Sequence, residues 1–114
     1  MSANGVHCVM RFIETPVFTR AILDILGDEQ YRTIQLALLL TPQLGLVIPH
    51  TEGLRKMRWA AKGKGKRGGC RVIYYWDDAS ETFYMLYAYQ KNVQEDLTAQ
   101  QLKTLILLVR EEFK

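Results

Sequence analysis

The sequence predicts an α+β domain: a small antiparallel-rich sheet with helices on one face, in the order β-α-α-β-β-β-α. Two observations carry this. Apolar residues recur at helical spacing up to Leu40, and from Leu54 the period changes to alternation in segments rich in Val, Ile, Tyr, Trp and Phe. The chain of 114 residues, 48% apolar and 24% charged, suits one globular domain with one core, placed at residues 8–114 behind a short mobile tail at 1–7. No apolar run reaches the roughly 18 residues of a membrane span and no signal peptide opens the chain, so the expected location is cytoplasmic.

Each element has its own justification. Val9 to Glu14 reads as a strand. Thr15-Pro16 is a helix start, the hydroxyl serving as a cap and the proline occupying a position whose N–H has no helical partner. Phe18, Ile22, Ile25 and Leu26 carry that helix to about Leu26, where Gly27-Asp28 breaks and recaps the chain. Tyr31, Ile34 and Leu38, with Leu36, Leu39 and Leu40, make a second helix expected to be buried on a wide face and to end before Thr41-Pro42. Leu54 to Trp59, Arg71 to Trp76 and Thr82 to Tyr89 read as strands of an antiparallel meander, the last two joined through Asp77-Asp78-Ala79-Ser80. Thr98 and Gln101 form the T-x-x-Q capping pattern of a final helix striped by Leu102, Leu105, Ile106, Val109 and Phe113.

The net charge of +3 conceals an uneven distribution. Residues 55–71 hold Arg55, Lys56, Arg58, Lys62, Lys64, Lys66, Arg67 and Arg71 with no acid among them, so the rest of the chain is net acidic. A basic cluster on an acidic domain is an address for a polyanion. Gly63, Gly65 and Gly68 satisfy the letter of G-x-G-x-x-G, yet a dinucleotide site needs those glycines after a strand and before a helix, whereas here they precede a strand. The phosphate-binding loop of nucleotidases is excluded as well, since Gly69 and Cys70 stand where Lys and Ser or Thr are required. A zinc site would need Cys8, Cys70, His7 and His50 to converge without C-x-x-C spacing, so both cysteines are read as reduced and no metal is expected.

The strands beside this loop carry the functional reading. Alternation puts Lys56 and Arg58 on one face and Met57 and Trp59 on the other. Arg71 opens the next strand and Lys91 follows the last, so a meander can bring these cations together at one end of the sheet. A cation cleft without a carboxylate calls for phosphate.

GLRKMRWAAKGKGKRGGCRVIYYW, followed by FYMLYAYQKN and EDLTAQQ, closely resembles the HigB-like members of the RelE toxin superfamily, ribosome-dependent endoribonucleases of bacteria and phages. The resemblance extends over roughly residues 8–112 and is strongest from GLRK to RVIYY. It implies the RelE-like fold, with a small sheet and packed helices. It also implies cleavage of translated mRNA in the A site of the 70S ribosome without a cofactor, and neutralisation by a cognate helix-turn-helix antitoxin of the HigA type. By motif position the implied catalytic residues are Lys56, Arg58, Arg71 and Lys91, with Lys62, Lys64, Lys66 and Arg67 in a lengthened loop that grips RNA.

Cleavage by the RNA's own 2′-OH requires removal of that proton, stabilisation of charge on the phosphoryl oxygens and protonation of the leaving 5′ oxygen. Lys56 is the expected base, because neighbouring cations disfavour a charged lysine. Arg58 and Arg71 stabilise charge, and Lys91 positions substrate or donates the proton. His50 is an alternative base, more simply read as a turn residue. Tyr89, beside Gln90-Lys91, is the aromatic chosen for base stacking. Leu97 or Thr98 stands where some relatives have a tyrosine and Asn92 where some have a second arginine, leaving the acid and base open. Two other classes fit the same residues: a non-catalytic nucleic-acid-binding module, and a protein-interaction module whose basic loop meets an acidic partner.

Overall fold

A computed structural model describes residues 10–61 and 65–113, with only the backbone described at 61, 65–68 and 113. The elements are β1 (Arg11–Glu14), α1 (Pro16–Ile25), α2 (Asp28–Leu40), β2 (Leu46–Val47), β3 (Arg55–Ala61), β4 (Gly65–Asp77), β5 (Thr82–Gln90) and α3 (Ala99–Leu108), the last continued by a π-helical turn, Val109–Phe113. They form one five-stranded sheet in the order β1-β5-β4-β3-β2. The architecture is the expected α+β one. All neighbours are antiparallel except β1, which runs parallel to β5. The expected tail at 1–7 and the residues Val9, Cys8 and His7 lie outside the described residues.

Local chemistry places the helices as read. The Thr15 hydroxyl accepts from the Phe18 N–H at 3.0 Å, and it donates to the Leu86 carbonyl at 2.9 Å, so one residue caps α1 and ties it to β5. Gly27, with φ of 85°, makes the break between α1 and α2 that a side chain would strain. Glu14 then accepts from the Thr19 hydroxyl and the Tyr31 phenol, both at 2.6 Å, joining the end of β1 to both helices.

The helices do not all share a face. Phe18, Ile22, Tyr31, Ile34 and Leu38 pack with Met57, Cys70, Val72, Tyr74, Phe83 and Met85 under α1 and α2. Leu54, Ile73, Leu86 and Tyr89 pack instead with Leu105 and Val109, which puts α3 on the opposite face. The expectation of helices on one face therefore holds for α1 and α2 alone. The reason lies in β4: its consecutive residues Val72 and Ile73, which point to opposite faces, are both fully buried, so each face needs a cover. The α2 helix is less buried than its leucines suggest, since Leu36 and Leu40 are exposed while Tyr31, Ile34 and Leu38 face the core.

Two differences concern the strands. The stretch read as a loop is largely a hairpin arm: β3 runs to Ala61 and β4, of 13 residues, starts at Gly65, so Lys66 and Arg67 are strand residues. The two-residue β2 was not foreseen. Its entry depends on Tyr74, whose hydroxyl donates to the Pro42 carbonyl and accepts from the Gly45 N–H, each at 2.8 Å. A Cβ at Gly45 would stand 2.8 Å from the Tyr74 ring, so only glycine admits this close approach. Tyr74→Phe removes the acceptor from a buried N–H and is expected to lower stability by about 1–3 kcal/mol. Urea unfolding of the pair of proteins measures it, and an unchanged midpoint would refute the anchor.

Candidate functional site

The site is built by register. Arg58 of β3 stands opposite Arg71 of β4, and Arg71 stands opposite Tyr89 of β5. The pleat puts these three side chains on the same face in a row, and Lys56, two residues before Arg58, joins them. This is the face that carries α3. The helix seats over Leu54, Ile73 and Leu86, whereas Arg58 is exposed. Alternation put Lys56 and Arg58 on one face, and the meander brings Arg71 opposite Arg58, whereas Lys91, the fourth cation expected there, lies in the turn after β5.

Their environments differ. Arg58 faces solvent; Arg71 is 6% exposed, with Nη1 donating to the Cys70 carbonyl at 3.2 Å. Lys56 is half-buried and its Nζ lies 3.4 Å from Oδ1 of Asp96. The same Oδ1 accepts from the Tyr89 hydroxyl at 3.3 Å and from the Leu97 N–H at 2.8 Å. The Leu97 N–H, with Lys56 after it, holds the Asp96 carboxyl below its usual range. Burial, and next the Asp96 charge, push the Tyr89 phenol up to about 12.

Asp96 corrects the expectation of a cluster without a carboxylate. It arrives there because the turn after β5 is closely held. Gln94 Nε2 donates to the Asp96 carbonyl at 2.8 Å, and Gln101 Nε2 donates to the Tyr87 hydroxyl at 3.1 Å. Gln101 also completes the capping box with Thr98 at the start of α3. The T-x-x-Q pattern was the available signal: it fixes where α3 begins, and Asp96 lies two residues before the cap. An exposed ion pair at 3.4 Å contributes only about 0–1 kcal/mol, so Lys56 can exchange Asp96 for another anion at little cost.

The other candidates are placed as follows. The Lys91 ammonium donates to the Glu95 carbonyl at 3.0 Å and its N–H to the Gly69 carbonyl at 3.0 Å, so it braces the turn beside the row. Tyr89 is 5% exposed; its ring belongs to the core and its hydroxyl meets Asp96, which replaces the expected stacking on a base. His50 is exposed in the turn before β3, with φ of 63°. Lys62 and Lys64 lie outside the described residues, and Lys66 and Arg67 are described by backbone alone. Cys70 is fully buried, and burial raises its thiol to about 11, a setting for an inert core residue.

The Asp96–Tyr89 contact has a pH signature. Asp96→Asn is expected to bring the Tyr89 pKa down from about 12, though burial keeps it above the ordinary phenol value; NMR titration of ring-labelled tyrosine reads this. The lowered Asp96 pKa contributes stability above the unfolded carboxyl's value of about 3.9, lost as pH falls through the folded one. Asp96→Asn should therefore flatten the acid limb of the stability curve. A Tyr89 titration that does not move removes Asp96 from the site.

The model of the RelE toxin of the RelE/RelB toxin-antitoxin system matches residues 50–112, a span that includes Lys56, Arg58, Arg71, Tyr89, Lys91 and Asp96. That match covers more than half of the chain, and the mixed five-stranded sheet with its three helices is compatible with the RelE-like fold: the chain belongs to the RelE toxin family.

Proposed function

We propose that this protein is a toxin of the HigB-like branch that cleaves mRNA on the ribosome by attack of the RNA 2′-OH, and that a HigA-like antitoxin neutralises it. Family membership supports the coarser part, a toxin of a toxin-antitoxin system whose relatives are generally translation-dependent endoribonucleases. The observation that carries the finer part is the row Lys56, Arg58, Arg71 on the part of the sheet face beyond α3, with Asp96 against Lys56.

In this reading Arg58, exposed, meets the scissile phosphate, and Arg71 adds fixed positive charge from beneath, so both offset the charge that grows on the phosphoryl oxygens. The base is reassigned. A protonated lysine has donors and no acceptor, whereas the carboxylate beside it has free acceptor capacity. Asp96 takes the 2′-OH proton, the 2′ oxygen bonds to phosphorus, and the bond to the 5′ oxygen breaks. Lys56 returns a proton to that leaving oxygen. The products are a 2′,3′-cyclic phosphate and a 5′-hydroxyl, and no metal enters the chemical step. A carboxylate held below its usual range is a weak base, so the reaction depends on in-line alignment that the ribosome supplies.

Expression without an antitoxin should stop bacterial growth through loss of translated mRNA. In single-turnover cleavage on programmed ribosomes, Arg58→Ala should lower the saturating rate by about 10²-fold with ribosome affinity nearly kept. Neutralising Lys64 and Lys66 together should weaken binding and reduce its salt dependence by about one unit for each phosphate no longer neutralised, with the saturating rate nearly kept. If the loop variant loses the saturating rate while Arg58→Ala keeps it, the chemistry lies in the hairpin and this assignment fails. A wild-type protein that binds ribosomes and cleaves nothing favours the non-catalytic module.

A further inference from the structure

We propose that Thr15 is a positioning residue of the RNA site: by holding the extra residue of β5, Leu86, it sets the register that turns Tyr87 and Tyr89 towards the turn carrying Asp96. The consequence for catalysis rests on the function proposed above; the placement does not.

Leu86 is a β-bulge. The pairing of β4 with β5 passes from Tyr74 opposite Met85 to Ile73 opposite Tyr87, so β5 uses one residue more than β4 across this step. Two consecutive side chains, Leu86 and Tyr87, then lie on the face that carries α3, and both belong to the apolar cluster there. Beyond the bulge alternation resumes, and Tyr89 falls opposite Arg71. Were Leu86 an ordinary strand residue, it would stand opposite Ile73, Ala88 opposite Arg71 and Tyr89 opposite Cys70. Tyr87 and Tyr89 would then face the core under α1 and α2, and neither hydroxyl would reach the turn at 94–96.

A bulged residue is out of step with the ladder and needs a partner of its own. Thr15 supplies one. Its N–H donates to the Met85 carbonyl at 3.0 Å, continuing the parallel pairing of Glu14 with Met85, and its hydroxyl donates to the next carbonyl, that of Leu86, at 2.9 Å. Leu86 is 2% exposed, so water does not take over from that donor. Beyond the bulge, the Tyr87 hydroxyl accepts from Gln101 Nε2 at 3.1 Å and donates to Gln94 Oε1 at 3.4 Å, and Gln94 in turn holds the Asp96 carbonyl. The Tyr89 hydroxyl meets the Asp96 carboxylate itself. Contacts therefore run from a helix cap on one face, through the sheet, to the carboxylate beside Lys56 on the other.

Thr15→Asp separates the clamp from the cap. A carboxylate still caps α1 by accepting from the Phe18 N–H, but once ionised it has no proton to give the Leu86 carbonyl. In the full chain, Thr15→Asp should bring the Tyr89 phenol down from about 12 as it parts from Asp96. It should also lower the saturating rate on programmed ribosomes by roughly 10²-fold with ribosome affinity nearly kept. Thr15→Ser retains the donor and should keep both at wild-type values. An unmoved Tyr89 titration in folded Thr15→Asp, or an equal shift in Thr15→Ser, overturns the proposal. If Thr15→Asp does not fold, Tyr87→Phe decides, since it leaves the cap alone: the titration of the Asp96 carboxyl should rise towards the ordinary carboxylate value, and an unmoved one overturns the proposal. Asp96→Asn tells the two readings apart. Should it keep the saturating rate, the base assignment fails, while the Tyr89 shift in Thr15→Asp still upholds the placement. If Asp96→Asn loses the rate and Thr15→Asp shifts Tyr89 yet cleaves as the wild type does, the positioning role fails.

Discussion

The register between β3, β4 and β5 is the constraint on which both the core and the site depend. Side chains alternate across a pleated sheet, so slipping β4 by one residue would turn the Arg71 guanidinium under α1 and α2 among Phe18, Ile22 and Leu38. The same slip would carry Cys70, Val72 and Tyr74 to the other face. Burying a charge in an apolar layer costs several kcal/mol, so the hydrophobic pattern of β4 and the placement of Arg71 reinforce a single register. The row Arg58, Arg71, Tyr89 is the direct consequence.

That face of the sheet meets two demands at once. Near Leu54, Ile73 and Leu86 it is apolar and needs a cover, which α3 provides through Leu105 and Val109. Near Arg58 it is charged, and an apolar helix laid over it would strip water from the guanidinium with nothing in return. The helix therefore covers only part of the face, and the turn leading into it crosses the boundary. Asp96 sits in that turn, set by Gln94, the Thr98–Gln101 capping box and Tyr87, and its weak link to Lys56 holds the cluster without locking it. The capping chemistry of a distant helix thereby decides which carboxylate faces the cations.

The opposite edge of the sheet behaves differently. β1 is tied down by parallel pairing with β5 and by Glu14, which takes hydroxyls from both α1 and α2. At the β2 edge, Tyr74 binds the incoming chain so firmly at Pro42 and Gly45 that only two residues remain to pair with β3. One buried phenol thus ends a strand early and leaves apolar side chains of that strand in water.

The sequence by itself determined what depends on neighbours along the chain. The Thr15-Pro16 start, the Gly27 break, the Thr98–Gln101 cap and the alternation of Lys56 with Met57 are all local physics, and each stands where its residues say. The shared face of Lys56 and Arg58 was legible for that reason. The tertiary structure alone decided the rest. Periodicity states that Leu105 is buried without stating against which face, so α3 could be placed only once both sides of β4 were filled. The burial of Tyr89 and the exposure of Leu40 depend on what lies across from them, which spacing does not encode. Asp96 is 40 positions from Lys56 along the chain, and their meeting follows from the closing of a sheet and the docking of a helix.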